Sequence, residues 1–150
     1  MKPEEKDLFL KDLSARLPHH VKVSVNGSKE PWTLKGMFEG EHTGMMLILE
    51  PSFPSKDVSP QTSNWQLSQC KPYLRPMSSM TEDEYDEMFQ QLYSAQEEFF
   101  RNCSNTDTIG KTITYDLVRY DWLNKNMFDY RGLIPKDLAL STEVYNPYKD

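Results

Sequence analysis

The sequence predicts an α+β protein. An N-terminal helix and a small antiparallel sheet come first, and two or three packed helices follow. Three observations predict this order. Apolar residues recur at helical spacing in 4–17 and again after residue 80. Between those stretches, short runs alternate apolar and polar with a period of two and are broken by turn residues. Lys71–Glu84 (K-P-Y-L-R-P-M-S-S-M-T-E-D-E) then ends the strand pattern and starts a helix.

Glu4–Leu17 reads as a helix between Pro3 and Pro18, with Leu10, Leu13 and Leu17 on one face and Leu8 and Phe9 near it. Glu4, Glu5, Lys6, Lys11 and Asp12 are placed on its polar side. Val21, Val23 and Val25 alternate with Lys22 and Ser24, the pattern of a half-buried strand. Asn26-Gly27 is a turn signal. Trp32, Leu34, Gly36 and Phe38 form the inward set of a second strand, and Gly36 predicts a bulge or bend. After a turn at Gly40–Gly44, the continuous apolar run Met45–Leu49 predicts a strand covered on both faces. Pro51–Asn64 reads as a long exposed loop. Trp65 and Leu67 open a short fourth strand, and Tyr73-Leu74 adds a last edge strand. Strands of this length, with a glycine bend in the second, are similar in order to SH3-like and Sm-like barrels. The sheet is expected to close as such a barrel or to stay half open.

Pro72 and Pro76 lack backbone donors, so the chain is expected to leave the sheet there. Thr81 and Glu84 make a T-x-x-E capping box, with Met80 and Tyr85 at hydrophobic-staple spacing. Glu82, Asp83 and Glu84 put negative charge at the positive end of the helix dipole. The helix Thr81–Arg101 presents Tyr85, Met88, Phe89, Leu92, Ala95 and Phe99 on one face. Asn102–Gly110 reads as a polar connector. A second helix is expected from a Thr114 cap to about Asn126, with Leu117, Val118 and Trp122 or Leu123 inward. Phe128–Leu140 reads as a turn plus a short helix, and the chain beyond Ser141 as a frayed tail on which Tyr145 and Tyr148 can dock. The expected division is residues 1–76, helix and barrel-like sheet, and 77–150, helices packed on it, cooperative as one domain.

Composition bounds the function. Aromatic residues make up 12% of a 150-residue chain, against disorder, and no apolar run approaches the ~20 residues of a membrane helix. The N-terminal residues lack a signal-peptide core, so the expectation is a soluble cytoplasmic protein. Cys70 and Cys103 read as small core residues. The net charge of −6 is uneven: residues 1–76 carry ten basic and nine acidic groups, and 77–150 seven and fourteen. An acidic second half repels phosphate backbones.

No catalytic constellation is visible along the chain. Gly110-Lys111-Thr112 resembles the end of a phosphate-binding loop, but Asn105 stands where the first glycine belongs and a helix, not a buried strand, precedes it. His19, His20 and His42 lack metal-ligand spacing, so no metal and no cofactor are expected. Ser78 and Ser79 serve the turn before the helix, and the acidic run after Thr81 serves its N-terminus. Asp129-Tyr130-Arg131-Gly132, close after Trp122, suits either partner recognition or an internal clamp in which Arg131 pairs with the acidic helix. Capping and turn chemistry leave Tyr73 and Arg75 unexplained.

Lys71–Glu84 and Asp121–Ile134 (D-W-L-N-K-N-M-F-D-Y-R-G-L-I) resemble segments of a group of small uncharacterised proteins of gut Bacteroides-type bacteria and their bacteriophages. Members of that group share a strand-rich first half followed by these two strings. The likeness is close over about 28 of the 150 residues. Pro135-Lys136-Asp137 stands where the group carries E-K-G, so the last turn departs from it. The resemblance implies a phage or mobile-element origin and nothing catalytic. The sequence therefore reads as a non-enzymatic protein-binding module, with Tyr73, Arg75, Trp122, Asp129, Tyr130 and Arg131 as its interaction residues and a host or phage protein as partner. The alternative is a single-stranded nucleic-acid-binding barrel using Trp32, Lys22, Lys35 and Lys71, where aromatic rings beside cations suit base stacking. An enzyme without a recognisable motif is the third reading.

Overall fold

The computed structural model describes residues 1–52, 61–102 and 108–149. Most of the expected loop after Pro51, the connector residues 103–107 and Cys103 lie outside them.

The first helix, α1 (Pro3–Arg16), ends in a 3-10 turn at Leu17–His19. Its inward stripe is Phe9, Asp12, Leu13 and Arg16. The sequence pattern placed Asp12 on the polar side, but Asp12 and Arg16 are both fully buried. A carboxylate is tolerated there because it is paired on the spot: Arg16 grips it at 2.7 and 3.0 Å.

Among the described residues, six strands form one sheet in the order β4-β3-β2-β1-β5-β6. They are β1 (Lys22–Val25), β2 (Trp32–Gly40), β3 (Gly44–Pro51), β4 (Ser63–Gln66), β5 (Cys70–Leu74) and β6 (Leu140–Ser141). The sheet is open, with β4 and β6 at its ends, so the barrel expectation gives way to the half-open one. Asn26 (φ 51°) and Gly27 (φ 73°) make the turn after β1, closed by the Ser28 amide on the Val25 carbonyl at 2.9 Å.

The bulge lies in β2, where the register skips Lys35 between Leu34↔Leu49 and Gly36↔Ile48. A Cβ on Gly36 would come to 3.3 Å from Ile48 Cδ1, which keeps the position small. One extra residue reverses which side chains face inward. Met37 therefore packs on the core, and Phe38, expected inward, is exposed. β3 is covered on one face rather than two: Leu47 and Leu49 are buried, while Met46 and Ile48 are half-buried. The core of this layer gathers Phe9, Leu13, Val21, Val23, Leu34, Leu47, Leu49 and Leu74.

Two corrections concern the chain after Gln69. Pro72 stays in the sheet, opposite Val23. The Asn26 amide bonds the Gln69 carbonyl, so alternation puts the Val23–Pro72 pair at a non-hydrogen-bonded site where β1 asks for no donor from residue 72. β5 is also not the edge, because β6 pairs with it in parallel through Tyr73↔Leu140 and Leu74↔Ser141.

The helix α2 (Glu82–Asn102) starts at the expected box. The Thr81 amide donates to Glu84 Oε2 at 3.0 Å, and the Glu84 amide donates to Thr81 Oγ1 at 3.2 Å. The next helix, α3 (Thr108–Lys125), begins before the predicted Thr114 cap and contains Gly110-Lys111-Thr112, which is therefore no loop. Leu117, expected inward, is 66% exposed, and Trp122 and Leu123 face the partner helix. A second cluster of Met88, Leu92, Trp122, Leu123 and Phe128 joins α2 to α3. No helix among the described residues is long and apolar enough to cross a membrane.

The tail is tied down rather than frayed. Lys22 and Tyr73 stand opposite each other at the next hydrogen-bonding step of the β1–β5 ladder. The Tyr148 hydroxyl fills that step, accepting from the Lys22 amide at 2.9 Å and donating to the Tyr73 carbonyl at 3.0 Å.

Candidate functional site

The two strings singled out in sequence meet along β5. The Arg75 amide donates to the Met127 carbonyl at 2.8 Å, and the Asp129 amide donates to the Arg75 carbonyl at 2.7 Å. These bonds form a parallel bridge between Arg75 and Phe128. The Arg75 guanidinium lies 4.2 Å from the centre of the Phe128 ring and grips Glu84 at 2.6 and 2.9 Å. It also donates to the Ser79 carbonyl at 3.2 Å. Arg75 thus completes the capping box, and its hydrogen bonds hold the Glu84 carboxyl down at about 2.

The D-Y-R-G string is likewise consumed inside the fold. The Asp129 carboxylate accepts from the Leu133 and Ile134 amides at 2.7 and 2.8 Å, capping the next 3-10 turn. Burial raises its pKa, and those two amides oppose the rise. Tyr130 lies beside two guanidiniums, Arg131 at 4.6 Å and Arg16 at 5.7 Å. Arg131 is a clamp, but on α1: it bonds buried Asp12 at 3.2 Å. It is Arg75 that reaches the acidic helix. Trp122 is buried and stacks on Phe128 at 5.6 Å. Tyr73 is buried too, edge-on to Tyr145 at 5.6 Å. All six residues read as an interaction surface are engaged within the fold: Tyr73, Trp122 and Asp129 are buried, and Arg75, Tyr130 and Arg131 are half-buried.

The nucleic-acid set is paired within the fold. Lys71 bonds Asp137 at 2.6 Å, and Lys35 pairs with Glu50 at 2.5 Å. Lys22 donates to Thr33 and Ser52. Trp32 packs edge-on to Trp65 at 5.9 Å against the core. His19 lies 3.3 Å from Asp121. Among the described residues no three His, Cys, Asp or Glu side chains converge as metal ligands. Burial pushes the Cys70 thiol up to about 12, so it is inert at neutral pH.

Among the described residues an exposed row of aromatic rings lies on α2, where sequence reasoning saw only a core face. Tyr85, Phe89 and Tyr93 follow one another at i, i+4 and i+8, with ring centres 4.7 and 6.5 Å apart, and Tyr115 of α3 closes on Phe89 at 6.4 Å. Tyr85 is 49% and Tyr93 61% exposed. The signal was present in the sequence: the apolar face of α2 is too wide for one neighbouring helix. α2 carries seven acidic side chains and one basic, and five of the seven lie at its N-terminal end, where Glu82 and Asp86 flank Tyr85. Met80, Thr81, Glu82, Tyr85 and Asp86 line a shallow recess of about 520 Å³ at its end. The expected staple is therefore loose, with Tyr85 standing half out of the fold.

The class these features define is an open-sheet α+β protein whose helical layer exposes an aromatic stripe with acidic side chains at its Tyr85 end. No family model, no curated protein and no solved structure matches the chain.

Proposed function

We propose that this chain is a protein-binding accessory module, of the phage or mobile-element kind that its two long strings resemble. It docks a cationic segment of a host or phage protein on the Tyr85–Phe89–Tyr93 stripe. The observation that carries this reading is the exposure of contiguous tyrosines, 49% at Tyr85 and 61% at Tyr93, on a helix otherwise anchored by Met88 and Leu92. Tyrosine supplies large contact area with few rotors and dominates binding hot spots. The carboxylates of Glu82 and Asp86 beside Tyr85 set the partner's charge. A lysine or arginine laid on such a ring gains cation–π attraction and a carboxylate together.

The nucleic-acid reading lacks a comparable surface, since Lys22, Lys35 and Lys71 each hold a partner and Trp32 faces the core. The test is a photo-crosslinking residue, p-benzoylphenylalanine, placed at Tyr93 and, as a control, at Glu39 of the sheet, in bacterial host cells. The expected result is a protein adduct at Tyr93 through a Lys/Arg-rich segment, competed by wild type and not by a Tyr85→Ser/Tyr93→Ser variant. The same adducts at both positions, or none at Tyr93, overturn the proposal.

A further inference from the structure

Three side chains from three stretches of the sheet meet away from the aromatic stripe. Lys22 of β1 points its Nζ at Thr33 Oγ1 of β2, 2.9 Å away, and at Ser52 Oγ, just after β3, at 3.1 Å. The two hydroxyls are themselves 3.1 Å apart. The triangle is not a random surface contact. Thr33 is buried, Lys22 and Ser52 are half-buried, and the Ser52 amide is anchored on the Pro31 carbonyl at 3.1 Å. The Lys22 amide is locked as well, by the Tyr148 hydroxyl.

An amine within hydrogen-bonding reach of a serine, with a further hydroxyl orienting both, is the arrangement in which lysine serves as the base for a serine nucleophile. We infer that Ser52 is a reactive serine whose proton is taken by Lys22, with Thr33 as the positioning residue, and that its substrates are activated acyl donors such as esters with good leaving groups.

In the step, the Ser52 O–H proton passes to the neutral Lys22 amine, and the Oγ electron pair forms a bond to the acyl carbon. The leaving group departs with the electron pair of its broken bond and takes the proton back from Lys22. The product is an acyl-serine, which water cleaves by the same proton route. The restriction to activated donors follows from the geometry. The Ser52 amide is committed to Pro31, so it is not free to stabilise an oxyanion.

The environment weakens the hold of the amine on its proton. Burial lowers the Lys22 pKa from its ordinary value, the charge of Lys35 on β2 lowers it further, and Glu50 on β3 opposes them. The third packed element, the tail, presents the Tyr148 phenol, which burial pushes well above its usual range and so keeps uncharged.

The experiment uses the full chain with a fluorophosphonate probe, in which Ser52 Oγ displaces fluoride, and with p-nitrophenyl acetate. Sites are read by peptide mass spectrometry, and folding of each variant by circular dichroism. The expected label is on Ser52, absent in Ser52→Ala and slowed by about 100-fold in Lys22→Met, the typical worth of a general base. In wild type the labelling rate rises with pH through one deprotonation below the ordinary lysine value. If Lys22→Met does not fold, that profile decides. A label on Lys22 instead, no label at Ser52, a rate that Lys22→Met leaves unchanged, or a flat pH profile overturns the inference.

Discussion

Arg75 and Phe128 meet twice, once through a parallel backbone bridge and once through a guanidinium lying 4.2 Å from the ring centre. The first contact extends β5 into the turn after α3. The second directs Arg75 onto Glu84, so the helix start, the strand end and the turn become one unit. The energetics of this unit can be tested part by part.

Thr81→Ala removes the acceptor for the Glu84 amide and leaves the Arg75–Glu84 pair standing. The expected loss is about 0.5–2 kcal/mol, the usual worth of an N-cap. Urea denaturation with an unchanged m-value measures it. A negligible loss would mean that Arg75 alone sets the helix start.

Glu84 makes stability depend on acid. Its folded-state pKa of about 2 lies below the unfolded value of 4.5, so its contribution is complete above pH 4.5 and drains away as pH falls toward 2. Wild type is expected to exceed Glu84→Gln in stability at pH 7, and the gap to close between those two values. Denaturation midpoints across that range check it. A gap that persists at pH 2 would assign the effect to packing.

Asp12→Ala strips the carboxylate from two guanidiniums at once, Arg16 and Arg131, and leaves Arg16 only backbone carbonyls. Breaking a buried pair from one side costs about 3–5 kcal/mol. The Asp12→Ala/Arg16→Met double variant removes the stranded charge and is expected to recover part of that loss. Thermal unfolding of wild type, the two single variants and the double variant gives the answer, and additive losses would refute the coupling.

Tyr148→Phe deletes one hydroxyl and orphans two backbone groups, the Lys22 amide and the Tyr73 carbonyl. A buried group left unpaired costs about 1–3 kcal/mol. Hydrogen exchange at the Lys22 amide is expected to accelerate while the α2 amides keep their protection. Unchanged exchange at Lys22 would show that the hydroxyl is not what closes the ladder.

Tyr93→Ser separates surface from core. As an exposed position it is expected to change stability by no more than about 0.5 kcal/mol, whereas Trp122→Ala, inside the helical cluster, is expected to cost about 3–5 kcal/mol. The first should keep its fold and yet fail to compete for the partner crosslinked at position 93. A large stability loss in Tyr93→Ser would place the stripe in the core.

The sequence by itself determined the local devices. The Thr81–Glu84 box, the Asn26-Gly27 turn, the Gly36 bulge and the period-two valines of β1 each depend on neighbours a few residues away, and the chain carries that information in order. It also marked Arg75 and the D-Y-R-G string as residues that local chemistry does not explain, without saying what they touch. Tertiary structure decided the rest. Arg131 reaches Asp12 over 119 positions, Tyr148 reaches Lys22 over 126, and Lys22 reaches Ser52 over 30. Whether a charge is buried, a tyrosine is free or an amine lies beside a serine is set by which surfaces pack together. Apolar burial drives that packing, and it is blind to sequence separation.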